Sequence, residues 1–111
     1  MSASHYKLDN FVAIVDRNGL QIDGKTEDVM KLEPLAEKWR SFGWQVLNCD
    51  GNDIDQLLDV FAKAQISQNA PSVIIAKTLM GKGIRSIEGD YHWHGKVPTT
   101  EQALEFLEQL R

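Results

Sequence analysis

Cysteine is almost missing from this chain. Cys49 is the single one, which excludes an intrachain disulfide framework and fits a reducing, cytoplasmic compartment. Clustered basic residues are missing too. Twelve Lys and Arg stand against sixteen Asp and Glu, and the net charge is -4. Nucleic acid is therefore not an expected partner, because phosphate neutralisation needs grouped cations. Long apolar runs are absent. The longest, Phe11-Val12-Ala13-Ile14-Val15, is far too short to span a bilayer, and the N-terminus shows no secretory apolar segment. Proline is scarce at three residues, and there are no internal repeats or low-complexity tracts. With 42% hydrophobic and 25% charged residues, the composition is globular rather than disordered. The 111 residues suffice for one domain or a large piece of one.

What is present alternates between two periodicities. Phe11-Val12-Ala13-Ile14-Val15 reads as a buried strand that stops at polar Asp16. Leu32, Leu35, Ala36, Trp39 and Phe42 recur at helical spacing, and Gly43 suits a left-handed cap after them. Residues 44–50 read as a second strand, with Cys49 a small core residue. Asp53 is a helix cap with Gln56 three residues on, followed by the apolar face Ile54, Leu57, Leu58, Phe61 and Ala62. Asn69-Ala70-Pro71 breaks that helix. Ser72-Val73-Ile74-Ile75-Ala76 is a third strand, apolar on both sides. Thr99 and Gln102 open a last helix with Ala103, Phe106, Leu107 and Leu110 on one face.

Near-continuous apolar strands separated by helices imply an α/β fold, a three-layer sandwich fragment with a short, mainly parallel sheet of about three strands and helices on both faces. Right-handed crossovers would join the strands. Residues 2–8 read as the tail of a helix. At least one sheet edge is expected to expose backbone and apolar side chains.

Ligands of open α/β sheets bind beyond the carboxyl ends of the strands. Asn18 lies just past the first strand. Its amide oxygen is a hard, neutral donor for Mg²⁺ or Ca²⁺, and the carbonyl of Leu20 is a second. A plain Asn-Gly turn explains the same residues. His94 and Lys96 flank Gly95, where an imidazole and an ammonium can hold a phosphate or an oxyanion. A polar loop with His94 stacked on Trp93 is the plainer alternative. His5 and His92 read as surface residues. Gly81-Lys82-Gly83 follows the third strand and is either an anion-binding turn or a simple flexible one.

The run Lys7-Leu8-Asp9-Asn10-Phe11-Val12-Ala13-Ile14-Val15-Asp16-Arg17-Asn18-Gly19-Leu20-Gln21-Ile22-Asp23-Gly24 resembles the second half of the thiamine-diphosphate motif of transketolases, above all bacterial forms split over two chains. Gly43-Trp44, Asp50-Gly51, Lys77-Thr78, Gly81-Lys82-Gly83 and Trp93-His94-Gly95-Lys96 follow in the order of that family. The last of these favours transketolase over pyruvate dehydrogenase or deoxyxylulose-phosphate synthase. The resemblance implies a divalent metal held by the Asn18 side chain and the Leu20 carbonyl, and Ile22 against the cofactor. It implies His94 as a catalytic and cofactor-binding residue, with Lys96 adding positive charge at the diphosphate. Some members have Lys where this chain has Met80, and others an apolar residue.

The family motif opens with Gly-Asp-Gly, whose Asp is the charged metal ligand. The chain is expected to start inside the helix that follows, and so to lack that Asp, the upstream His residues and the pyrimidine-binding domain with its activating Glu. The expected function is half of a thiamine diphosphate and Mg (or Ca) site for two-carbon ketol transfer between sugar phosphates, as in the pentose phosphate pathway, inactive alone. The expected partners are a complementary transketolase chain or further copies of the same chain, and no membrane. A non-catalytic, self-associating remnant is the alternative. A nucleotide-binding module comes last, since the sequence has neither a Walker loop nor a Gly-rich dinucleotide turn.

Overall fold

A strand with no polar alternation must be covered on both faces. Ser72–Lys77 (β5) is such a strand, and its first five residues are buried. It is the middle of a three-stranded sheet, with Val12–Arg17 (β1) on one side and Gln45–Asp50 (β4) on the other. Both pairings are parallel and in matched register, so that Ile14, Ile74 and Leu47 form one row and Asp16, Ala76 and Cys49 the next. The computed structural model describes residues 1–111. They fall into two units, 1–17 with 32–78 and 18–31 with 79–111. The sheet belongs to the first.

Three helices complete the first unit, Ser2–His5 (α1), Leu35–Ser41 (α3) and Ile54–Gln65 (α4). The chain passes from β1 over β5 to β4, then back to β5. Right-handed connections in opposite directions put α3 and α4 on opposite faces, and the packing agrees. Leu57 and Val60 of α4 meet Leu47, Cys49, Ile74 and Ala76 on one face. On the other, Trp39 of α3 meets Trp44 edge-on at 4.8 Å, and Trp44 meets Phe11 at 5.7 Å.

The ends of these helices follow from local chemistry. The first turn of the Leu32–Phe42 pattern is not helical. Pro34 disfavours helical backbone at Glu33, so α3 begins at Leu35, whose N–H donates to the Glu33 carboxylate at 2.8 Å. Gly43 closes α3 at φ 78°, as a left-handed cap requires. Asp53 accepts from the N–H groups of Asp55 and Gln56, and Gln56 returns a bond to it at 2.8 Å. These bonds, led by the one from the Gln56 amide, hold the Asp53 carboxyl below its ordinary value.

The second unit contains Leu20–Gln21 (β2) and Gly24–Lys25 (β3), which pair as an antiparallel hairpin, then Thr26–Val29 (α2), a 3₁₀ turn at Tyr91–Trp93, and Thr100–Gln109 (α5). Thr99 and Gln102 form a reciprocal capping box at the start of α5. Phe106, the buried residue of that helix, meets Trp93 edge-on at 5.4 Å. No helix is long and apolar enough to cross a membrane.

Two further sequence expectations change. The first strand is not buried, and it runs on through Asp16 and Arg17. It is an edge strand covered on the α3 side only, so Ala13 and Val15 are half-buried while Ile14 is 56% exposed. Cys49 is half-buried rather than fully so, because it lies near the end of the outer strand. Desolvation, followed by the nearby Asp50 and Asp53 charges, pushes its thiol pKa up.

The asymmetry of the sheet is testable. Ile74→Ala should cost about 3 kcal/mol, because a fully buried side chain leaves a cavity. Ile14→Ala, on the exposed row, should cost about 1 kcal/mol or less. Urea unfolding of the two variants checks the difference, and equal losses would contradict an open β1 face.

Candidate functional site

Asn18 directly follows β1, and what comes next is a turn built on its side chain. Its Oδ1 accepts from the Leu20 N–H at 2.8 Å, an Asx turn. Gly19 between them sits at φ 78°, where a side chain would be strained. The Gly19 carbonyl accepts from the Thr26 N–H at 2.9 Å and from its hydroxyl at 3.3 Å. Thr26 thus locks the base of the hairpin.

That bond fixes which groups face outward. Gly19 and Thr26 form a hydrogen-bonded pair across the hairpin. In an antiparallel ladder such pairs alternate with non-bonded ones. Leu20 faces Lys25 and is therefore a non-bonded position, whose N–H and C=O both point away from the partner strand. The N–H meets Asn18 Oδ1, so the carbonyl of Leu20 and the amide oxygen of Asn18 lie along the same outer edge. Ile22, at the tip of the hairpin, is 71% exposed. Gln21 has a buried Nε2 with no acceptor in the chain.

In the same unit, β3 lies against the 3₁₀ turn at residues 91–93. Asp90 caps this turn by accepting from the His92 N–H at 3.0 Å, and it meets His92 Nδ1 at 2.7 Å. Tyr91 stacks on His92 with centroids 4.1 Å apart. The His94 N–H donates to the Tyr91 carbonyl at 3.0 Å, and its ring is exposed. His94 does not stack on Trp93. The group over that indole is the Lys96 ammonium, 4.3 Å from the ring centroid, a cation–π contact on a ring steadied by Phe106. Gly81-Lys82-Gly83 is a turn whose amides serve the chain itself. The Lys82 N–H donates to Leu79 and the Gly83 N–H to the Glu88 carboxylate at 3.0 Å, which speaks against an anion-binding role.

All five candidate residues, Asn18, Leu20, Ile22, His94 and Lys96, fall in one unit. Sequence reasoning missed Thr26 as the lock of the hairpin and Trp93 as the seat of Lys96. No group of three or more His, Cys, Asp or Glu side chains is placed to hold a metal ion. Oxygen donors here are the neutral amide and carbonyl of the hairpin edge.

The profile of the transketolase thiamine diphosphate binding domain matches residues 1–109. The chain belongs to this family. An apulose-4-phosphate transketolase subunit from Phocaeicola vulgatus is 42% identical over 110 residues, which are 99% of this chain and 39% of that protein. The protein of the same name from Actinobacillus succinogenes is 42% identical over the full chain and 40% of its own length. The chain thus spans about two fifths of these curated relatives. Among solved structures, the transketolase of Campylobacter jejuni superposes with a TM-score of 0.89 at 31% identity, over 98% of this chain and 17% of that one. The α/β architecture read from the sequence is therefore that of the transketolase family.

Hydrogen bonds from the His92 ring and then its amide hold the Asp90 carboxyl below its ordinary value. A lowered folded pKa stabilises above the unfolded value of about 3.9 and is lost as pH falls through the folded value. The 3₁₀ turn before His94 should therefore loosen only in acid below about pH 3.9. Following the His92 amide by NMR checks this, and Asp90→Asn should abolish the acid transition.

Proposed function

We propose that this chain supplies part of a thiamine diphosphate and divalent-metal site to an assembly that moves a two-carbon ketol unit between sugar phosphates. The observation that carries the reading is the hairpin edge. A member of the thiamine-diphosphate-binding family presents the Asn18 amide oxygen and the Leu20 carbonyl side by side on one outward edge. Both are hard oxygens of the kind Mg²⁺ or Ca²⁺ takes. The Asx turn fixes the Asn18 rotamer, so little order is lost when a cation arrives.

Thiamine diphosphate, when bound, provides the carbanion and electron sink on which ketol transfer depends. The chain's own residues bind and orient. Asn18 and Leu20 would hold the divalent metal. Ile22 offers an apolar surface to the cofactor. Lys96, steadied over Trp93, brings positive charge to the diphosphate, and exposed His94 accepts or donates a proton at its ring nitrogen during turnover. Two neutral oxygens do not satisfy Mg²⁺, which is usually bound through at least one carboxylate. On this reading an anionic ligand is required from outside these 111 residues. Relatives named as single subunits of a transketolase support a two-chain enzyme, which we place in the cytoplasm. The neutral donor set also favours one rival, a non-catalytic α/β module that binds no cofactor.

The expected outcomes separate the two. The isolated chain should give no ketol transfer from xylulose 5-phosphate to ribose 5-phosphate. Reconstituted with chains that supply the remaining domain halves, it should bind thiamine diphosphate in a metal-dependent manner by calorimetry. There Asn18→Ala should lose roughly 10–100-fold in cofactor affinity, by analogy with losing a metal-site partner. His94→Ala should lower kcat more than affinity. Wild-type binding and turnover in both variants would overturn the assignments.

A further inference from the structure

Asn18 is followed by Gly19, and this is the one Asn-Gly step of the chain. The other asparagines, Asn10, Asn48, Asn52 and Asn69, each precede a residue with a side chain. A main-chain nitrogen can attack the side-chain carbonyl of the asparagine before it and close a five-membered ring. Glycine permits this most readily, since no Cβ hinders its nitrogen. The hairpin requires glycine at this position for a different reason, its φ of 78°. The residue that makes the turn possible therefore also makes Asn18 chemically labile.

The turn decides whether the ring can close. Asn18 Oδ1 accepts from the Leu20 N–H at 2.8 Å, so the side chain stands in for the first residue of a β-turn. Asn18 and Gly19 are then its two central residues. Gly19 at φ 78° fits the second central position of a type II turn, whose first central residue has ψ of about +120°. An extended ψ also suits a residue that directly follows β1. Ring closure needs Asn18 Cβ and the Gly19 nitrogen nearly eclipsed about the Cα–C bond. For an L-residue at the type II ψ they stand about a third of a revolution apart. Rotation to bring them together carries Leu20 away from Oδ1. It also pulls the Gly19 carbonyl from the Thr26 N–H at 2.9 Å and the Thr26 hydroxyl at 3.3 Å. The attack therefore waits for the hairpin to open.

We propose that Asn18 is a deamidation site gated by this hairpin. In the open state the Gly19 nitrogen gives its proton to solvent and bonds to Asn18 Cγ. The Cγ–Nδ2 bond breaks, and Nδ2 leaves as ammonia. Water then opens the cyclic imide at one of its two carbonyls. Opening at Cγ leaves an aspartate at position 18, and opening at the main-chain carbon leaves an isoaspartate. The first product puts a carboxylate where a neutral amide stood, the donor that Mg²⁺ and Ca²⁺ prefer. The second adds a methylene to the main chain and moves the Leu20 N–H out of the turn. The consequence for metal binding rests on the reading of Asn18 given above, while the reaction itself does not.

The test uses the 111-residue chain without metal, cofactor or sugar, in mildly alkaline buffer. Peptide mass spectrometry follows replacement of the Asn18 amide by a carboxyl, and released ammonia is assayed in parallel. Isomerisation at Asp23-Gly24 or Asp50-Gly51 changes no mass and is not counted. In concentrated guanidinium chloride Asn18 should react faster than the other four asparagines, and Gly19→Ala should slow it roughly 10-fold. In the native chain Asn18 should react roughly 10-fold or more slowly than in denaturant, because only the opened fraction reacts. Thr26→Pro removes both donors to the Gly19 carbonyl. The backbone accepts it, since Lys25 is extended at φ -69° and ψ 136° and Thr26 is the first residue of α2. This variant should speed the native reaction roughly 5-fold, the weight of one lost hydrogen bond, and leave the denatured rate unchanged. In wild type at low denaturant, hydrogen exchange of the Leu20 amide should rise in parallel with deamidation. Equal native and denatured rates, deamidation that does not follow Leu20 exchange, or no preference for Asn18 in denaturant overturns the proposal. None of these outcomes bears on ketol transfer, so failure here is distinct from failure of that reading.

Discussion

Every ladder of the three-stranded sheet has β5 on one side of it. The strand is buried on both faces and bonded along both edges, and nothing polar in Val73-Ile74-Ile75-Ala76 needs water. Because it is last in the chain order and central in space, β1 and β4 have no pairing partner in the sheet until it is in place. Their crossovers run in opposite directions and so put α3 and α4 on opposite faces. The matched register aligns the carboxyl ends of all three strands, where Arg17, Lys77 and Asp50 stand level. Close packing there is tight. A side chain at Gly51 would meet the Ala76 Cβ at 2.9 Å, below any normal contact.

From that aligned end the chain turns into a second, smaller structural device. An amide oxygen is a good metal donor only if its rotamer is fixed beforehand, since ordering a free side chain costs free energy. The Leu20 N–H fixes Asn18, and the hairpin fixes Leu20. The hairpin in turn depends on Gly19, which alone tolerates φ 78°, and on Thr26, which clamps the Gly19 carbonyl with two donors. Three consecutive positions and one threonine seven residues beyond Gly19 thus place two oxygens without any help from hydrophobic burial. Such a loop can be carried by a small unit with few buried residues.

Much of this was legible in the sequence, and what was not has physical causes. The central strand, the Gly43 cap, the Asp53 cap and the Thr99–Gln102 capping box were all readable, because each rests on a residue's own stereochemistry or on partners within three positions. The exposure of β1 was not. Phe11-Val12-Ala13-Ile14-Val15 is as apolar as β5, and which of two such strands lies at the edge is decided by chain order, not by composition. The start of α3 was displaced by one turn because Leu32 fits the helical period while Pro34 vetoes it. The hairpin escaped because its strands are two residues long, too short to show alternation, although Asp23-Gly24 carries the turn signal. Asn18, Leu20 and Ile22 could be named from the family motif. That Leu20 occupies a non-bonded ladder position, and so turns its carbonyl outward, needed the Gly19–Thr26 pairing.

The seat of Lys96 shows the same limit from another side. Trp93-His94-Gly95-Lys96 permits either the imidazole or the ammonium to lie on the indole. The 3₁₀ turn decides between them. With Asp90 capping it and the His94 amide bonded back to Tyr91, the His94 side chain leaves the turn on the solvent side. Lys96, three residues after Trp93, comes back over the ring, with its amide reaching the Trp93 carbonyl at 3.4 Å. A cation held over an aromatic face keeps its full charge, and its ammonium still has hydrogens directed away from the ring. It therefore remains able to meet an anion while its long side chain is restrained. The imidazole of His94, by contrast, lies against no ring and is open to solvent, so its nitrogens are accessible to a partner.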